Sequence, residues 1–218
     1  MKRRSTTIFL GLLFVLVTAA PVEAQLWFFP DFALPSAGDT PSNWVSGTWG
    51  RGLNEASGEA DAFGASLGRA TGRFSFMGAF GYATEDSEGE FTLGGAAAFS
   101  LKSGNGINVA VQGGAGWIDF DEGTSTLKAY RFPIGLSLKE EIQGERSKLT
   151  PWLMPRLDIS HLTYSEESET ETNFGVSGGA SWTWESGFGI HTALDALFVE
   201  DDSLFKFGLG LHWVWPQP

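Results

Sequence analysis

Any chemistry in this chain has to come from three histidines, its carboxylates and its cations, because the 218 residues include no cysteine. That removes thiolate nucleophiles, thiolate metal sites and disulfides together. His191 and His212 fall on the small-residue faces of two neighbouring strand-like segments. Counting inward from residues 200–203 sets them opposite one another, near one end. Two imidazoles so placed are candidates for a metal ion or a pH response. No third ligand accompanies them on that face, so no metal site is expected. Asp119, Asp121 and Glu122 resemble half of a calcium loop without its remaining ligand positions, and they read as a solvated acidic loop. Arg131, Arg156, Asp158, Asp195 and Lys206 are charges whose parity turns them to the same side as Gly, Ala and Ser. Paired, they close an interior; spaced around a ring, they line a channel. The sequence leaves both open.

The elements that position these residues are read from a period of two. Ten segments show it: 44–53, 60–70, 73–84, 90–101, 107–118, 127–139, 149–162, 173–185, 188–199 and 204–215. In 127–139, Tyr130, Phe132, Ile134, Leu136 and Leu138 stand against Arg131, Gly135 and Ser137. In 204–215, Phe205, Phe207, Leu209, Leu211, Trp213 and Trp215 alternate with Lys206, Gly208, Gly210 and His212. No segment after residue 25 keeps a helical period. The connections alternate as well. Residues 54–61, 85–90, 119–125, 165–172 and 200–203 are acidic, whereas 71–73, 102–106, 143–148 and 185–187 are short and mixed or basic. Strict alternation of two connection types is what a meander with two distinct ends produces.

The bulky face decides the class. A soluble barrel or sandwich turns its large side chains inward and its charges outward. Only 18% of this chain is charged, and almost none of that charge decorates the bulky faces. Small residues inside and bulky residues toward lipid predict an all-β fold. Specifically, they predict a closed antiparallel transmembrane up-and-down β-barrel of about ten strands, with eight the alternative. Tyr82, Trp117, Trp184, Trp213 and Trp215 near strand ends fit the aromatic girdles of such a barrel.

Outside the barrel segment, 44–215, two stretches differ. Lys2, Arg3 and Arg4, the apolar run 8–20 and Val22-Glu23-Ala24 have the three-part form of a secretory signal peptide. Residues 1–24 are therefore expected to be cleaved, with the mature chain starting near Gln25. Residues 25–43 combine Leu26, Trp27, Phe28, Phe29 and Phe32 with Pro30, Pro35 and Pro41, which opposes a ladder. The segment is expected either to be a leader, disordered or resting at the membrane interface, or to fold back as a plug in the lumen. A net charge of −12 excludes nucleic acid as a partner, since phosphate binding needs basic surface.

The signal peptide, the alternation and the last strand together resemble the small OmpX/OmpA-type barrels of the porin-like outer-membrane family. Lys206-x-Gly208-x-x-Leu211-x-Trp213 is similar to the C-terminal β-signal read by the barrel-assembly machinery. In the family that signal commonly ends on a terminal aromatic, whereas Pro216-Gln217-Pro218 follow here. The resemblance implies an outer-membrane location, lipid and lipopolysaccharide as surroundings, the assembly machinery as a partner, and no cofactor. It carries over no catalytic residues. His161-Leu162-Thr163-Tyr164 does not repeat the Ser/His pattern of outer-membrane lipid deacylases, and none of the predicted loops holds the His that a barrel protease would need. The expected role is structural or interactive, with a side-chain-filled lumen. A narrow cation-preferring pore, suggested by the acidic loops, is the alternative, and a lipid-active enzyme is the third reading.

Overall fold

The computed structural model describes residues 41–57, 61–85, 88–104, 106–121, 126–164, 167–200 and 202–216. The predicted signal peptide and residues 25–40 of the predicted irregular segment lie outside the described residues. Ten strands form the fold: β1 Ser42–Gly52, β2 Asp61–Thr71, β3 Phe74–Glu85, β4 Glu88–Lys102, β5 Ile107–Asp121, β6 Thr126–Glu140, β7 Ser147–Tyr164, β8 Glu167–Trp184, β9 Phe188–Phe198 and β10 Ser203–Pro216. Ile142–Gln143 prolongs β6 by pairing with Leu149 and Lys148. Each strand pairs antiparallel with its neighbours in sequence, and β1 pairs with β10 from Ser42↔Pro216 to Gly52↔Lys206. That last pairing closes the sheet and leaves no open edge. One turn of 3-10 helix, Glu55–Ser57, sits above the β1 end and packs Ala56 against Leu197 and Leu204.

The ends of the strands depart from the sequence reading in an instructive way. β1 begins at Ser42 rather than at 44, so the irregular segment is two residues shorter than expected. The acidic stretch 165–172, read as a loop, is largely strand, because β8 starts at Glu167. No Gly or Pro lies between Ser160 and Asn173 to stop the ladder, and Thr170 and Thr172 favour it. Pairing therefore continues from His161↔Thr170 to Tyr164↔Glu167. Irregularity falls instead at prolines, which have no N–H to give a ladder. The β5–β6 pairing is interrupted between Gly113↔Ile134 and Gly116↔Arg131, around Pro133, with the register unchanged. Between Ser100 and Lys102 a bulge takes up Leu101.

Side-chain direction follows the pleat. Outward positions are large, apolar and open: Phe91 is 68% and Phe80 61% exposed. Inward positions hold the charges: Asp158 is 0% and Lys206 1% exposed. Rings gather at two heights. At the end carrying Ser42 and Pro216, Trp182, Trp184 and Phe188 stack in sequence, with Trp213 and Trp215 5.0 Å apart. Toward the other end Tyr82 lies 5.1 Å from Phe91, and Tyr130 lies opposite Trp117. The eleven residues of β9 match the ~9–11 that a tilted strand needs to cross a bilayer. Among the described residues no helix is long and apolar enough to do so.

The interior is not uniformly small, as the sequence reading held. Trp44, Met154 and Trp152 point inward, and Trp44 packs on Ala70, Ala96, Met77 and Val214 near the mouth formed by the two chain ends. Trp44 stands directly opposite Gly68, and a Cβ there would lie 2.6 Å from its Cη2. The indole needs that space. Gly68→Ala is expected to destabilise the barrel by about 1–3 kcal/mol through overpacking. Urea titration in micelles reads the loss, and Trp44→Ala in the same chain should remove most of it.

Candidate functional site

Four strands and a bridging serine assemble the charged group. Arg131 on β6 donates from Nε to Asp158 Oδ1 on β7 at 2.5 Å, and its Nη2 donates to Oδ2. Arg156, also on β7, donates from Nε to Asp158 Oδ2 at 3.0 Å. The guanidinium fork of Arg156 then spans β8 to grip Asp195 on β9, with Nη1 to Oδ1 at 2.6 Å and Nη2 to Oδ2 at 3.0 Å. Ser177 of β8 lies beneath that span, accepting from Arg156 Nη1 at 2.5 Å and donating to Asp195 Oδ1 at 2.6 Å. Lys206 on β10 stands directly opposite Asp195. The signs alternate from Arg131 to Lys206, so each carboxylate lies between two cations. Bidentate, charge-assisted contacts of this kind are the strong ones.

The arrangement runs along one wall, from β6 round to β10, rather than across the lumen. It depends on the small residues either side of Arg156. Gly135 and Gly175 flank it in the two ladders, and a Cβ on Gly175 would lie 2.9 Å from Arg156 Cζ. Sequence reasoning did not single out Ser177, Gly135 or Gly175, which look like any other small inward residue. Lys139 was also missed, although it shares the parity of Arg131 and is buried.

The direct partner of Arg131 in the ladder is Ser160, while Asp158 faces Pro133. The long side chain therefore reaches its carboxylate diagonally. Diagonal neighbours on a face are within reach of long side chains.

The histidine pair needs a correction. His191 faces Gly210 and His212 faces Gly189, so the two are diagonal rather than opposite. Their Nδ1 atoms are 3.3 Å apart, one ring donating to the other. Thr48 Oγ1 meets His191 Nε2 at 3.0 Å and Thr183 Oγ1 meets His212 Nε2 at 2.8 Å. All four ring nitrogens are thereby engaged. Among the described residues no group of three or more His, Asp or Glu is placed to hold a metal ion.

The remaining candidates separate. His161 is on the outer face beside Tyr130, with Nδ1 2.8 Å from Thr170 Oγ1, whereas its chain neighbour Ser160 is buried on the lumen side. Asp119 and Asp121 belong to the end of β5, and Glu122 lies outside the described residues. Of the β-signal residues, Lys206 and Gly208 face inward while Leu211 and Trp213 are exposed on the outer face.

A closed antiparallel barrel with an apolar exterior, two aromatic rims and its charges inside defines the transmembrane class of β-barrel. The sequence matches no protein-family model and no curated protein. Among solved structures, the chain is similar to the N-terminal β-barrel domain of Pseudomonas aeruginosa OprF, with 13% identity and a TM-score of 0.39 over 80% of this chain and 97% of that one. It is also similar to Ail, the attachment invasion locus protein of Yersinia pestis, with 13% identity and a TM-score of 0.36 over 81% and 99%. For the Neisserial surface protein NspA the values are 10% and 0.41, over 79% and 96%. The likeness is one of general architecture.

Proposed function

We propose that this chain is a non-enzymatic bacterial outer-membrane barrel with a structural or interaction role, whose lumen carries no open path for ions. The carrying observation is that every charge of the Arg131–Asp158–Arg156–Asp195–Lys206 series is buried. A water-filled channel keeps its charged lining wet. Here the charged side chains are buried and internally paired, which suits a filled barrel. The outward apolar belt supports a lipid environment, with lipopolysaccharide at the outer rim. β10, with Lys206, Gly208, Leu211 and Trp213, is the strand offered to the assembly machinery during insertion.

The described lining does not favour cation preference. Arg131, Lys139, Arg156 and Lys206 are buried there against Asp158 and Asp195, an excess of positive charge. Were the lumen open, that lining would select anions.

Two measurements test the proposal. Cell fractionation should recover the native protein with the outer membrane, showing heat-modifiable migration on gels; a native protein in the soluble periplasm overturns the location. The refolded full chain in a planar bilayer should pass no steady current, and steady conductance replaces the closed barrel with a pore.

A further inference from the structure

His191 and His212 stand outside the charged network, and the proposed function makes no use of them. The ladder builds their pair twice over. His191 on β9 reaches across Gly210 of β10 to the hydroxyl of Thr48 on β1. His212 on β10 reaches across Gly189 of β9 to the hydroxyl of Thr183 on β8. The two reaches run in opposite directions around the wall, and the rings meet through Nδ1. Each ring needs the glycine beneath it. A Cβ on Gly189 would lie 2.6 Å from His212 Cε1, and one on Gly210 would lie 2.5 Å from His191 Cε1. Two threonines and two glycines, spread over four strands, thus hold one imidazole contact in place.

That contact has the dimensions of a metal chelate. Zn–N bonds of about 2.0–2.1 Å at a tetrahedral angle hold two ligand nitrogens roughly 3.3–3.4 Å apart. The two Nδ1 atoms stand 3.3 Å apart, which is long for a hydrogen bond from a ring N–H. The outer nitrogens meet a second condition. A metal-bound imidazole almost always donates its other N–H to a fixed acceptor, which sets the tautomer. Thr48 Oγ1 and Thr183 Oγ1 are placed to accept from Nε2 at 3.0 Å and 2.8 Å, which leaves a lone pair on each Nδ1.

We infer that His191 and His212 chelate a divalent transition-metal ion of the zinc class through Nδ1. Two protein ligands leave the remaining positions to water. Both histidines are half-buried on the strand ends toward the mouth at Ser42 and Pro216, which gives water and the ion a way in. Ser46 lies opposite His212 and Ser181 opposite His191, so metal-bound water has hydroxyl partners. The neutral rings bind without net release of a proton. The proton held between the two Nδ1 atoms passes to Nε2 of its own ring, and the metal takes both lone pairs. Imidazole nitrogen suits zinc, copper and nickel, whereas magnesium and calcium take oxygen ligands. Lys148, within electrostatic reach of His212, is held by Glu141 at 3.0 Å. Among the described residues no Asp or Glu joins the pair, so the ion is exchangeable rather than locked in a closed structural site.

The test is nitrogen NMR of the refolded full chain in micelles, carrying isotope-labelled histidine and titrated with Zn²⁺ or Mg²⁺. One equivalent of Zn²⁺ should shift the ring nitrogens of His191 and His212, with Nδ1 taking the metal and Nε2 keeping its proton. His161, on the outer face with its Nδ1 at Thr170, should not move, and Mg²⁺ should not reproduce the shift. By calorimetry, His191→Gln should abolish the one-equivalent binding of Zn²⁺. Thr48→Val keeps both ligands but removes an acceptor at Nε2, and should lower the affinity about tenfold or more. His161→Gln should leave it unchanged. Coordination through Nε2, no shift of the pair at one equivalent, or undiminished affinity in His191→Gln overturns the chelate. The nitrogen shifts are read on the unaltered chain, so they decide the matter even where a variant fails to refold.

Discussion

Asp158→Ala is expected to cost the barrel about 3–5 kcal/mol, the range for breaking a buried ion pair by removing one partner. Asp158 accepts from Arg131 and from Arg156, and its side chain has no solvent contact. Its loss is not symmetrical for the two cations. Arg156 keeps Asp195 and Ser177, while Arg131 gives up its two hydrogen bonds to Asp158 and stays buried. A double variant, Arg131→Met/Asp158→Leu, should recover most of the cost, because exchanging a buried pair for apolar residues is often neutral. Urea unfolding of the refolded protein, followed by the heat-modifiable gel shift, measures both. Equal midpoints for wild type and Asp158→Ala would show that water screens the site and that the wall is not closed. At Asp195 the expectation differs in partner: Asp195→Ala strips the fork of Arg156 and leaves Lys206 facing an alanine.

The inward placement of these charges was legible because it needs only parity. A strand alternates sides with a period of two, so Arg131, Arg156, Asp158, Asp195 and Lys206 could be placed on the small-residue side without knowing any contact. Partnership needs register, and register depends on turns that sequence specifies weakly. The β9–β10 hairpin pairs Phe198 with Ser203, which sets His191 against Gly210. Counting from a slightly different turn set it against His212. A slip of two residues preserves the face and changes the partner, so it leaves no trace in the hydrophobic pattern. The same reasoning explains the overlooked residues. Ser177 is a hydrogen-bond bridge and Gly175 is clearance for a guanidinium. As residue types, both are indistinguishable from the filler around them. Loop boundaries failed for another reason. Acidic composition reports contact with water, and the β7–β8 ladder continues into residues that read as loop, where Glu169 and Glu171 are exposed while still paired.

The outer face gives the second large effect, and it separates a barrel in lipid from one in water. Phe80 lies in the middle of β3, points outward, and pairs with Ala65 on one side and Leu93 on the other. Phe91, beside Tyr82, points outward nearer the upper aromatic rim. Phe80→Arg is expected to destabilise the barrel by about 2–4 kcal/mol in lipid vesicles, and Phe91→Arg by about 0–1 kcal/mol. The difference comes from depth. A guanidinium at the bilayer midplane has no water to reach, whereas one near the rim snorkels to the interface. For a soluble barrel the expectation is different, since both sites would be open surface and most surface substitutions stay within about ±0.5 kcal/mol. Folding equilibria of the two variants in vesicles decide the matter. Equal, small effects at Phe80 and Phe91 would remove the bilayer from the account of this fold. A penalty that falls from Phe80 to Phe91 places the belt of β3 across the hydrocarbon core.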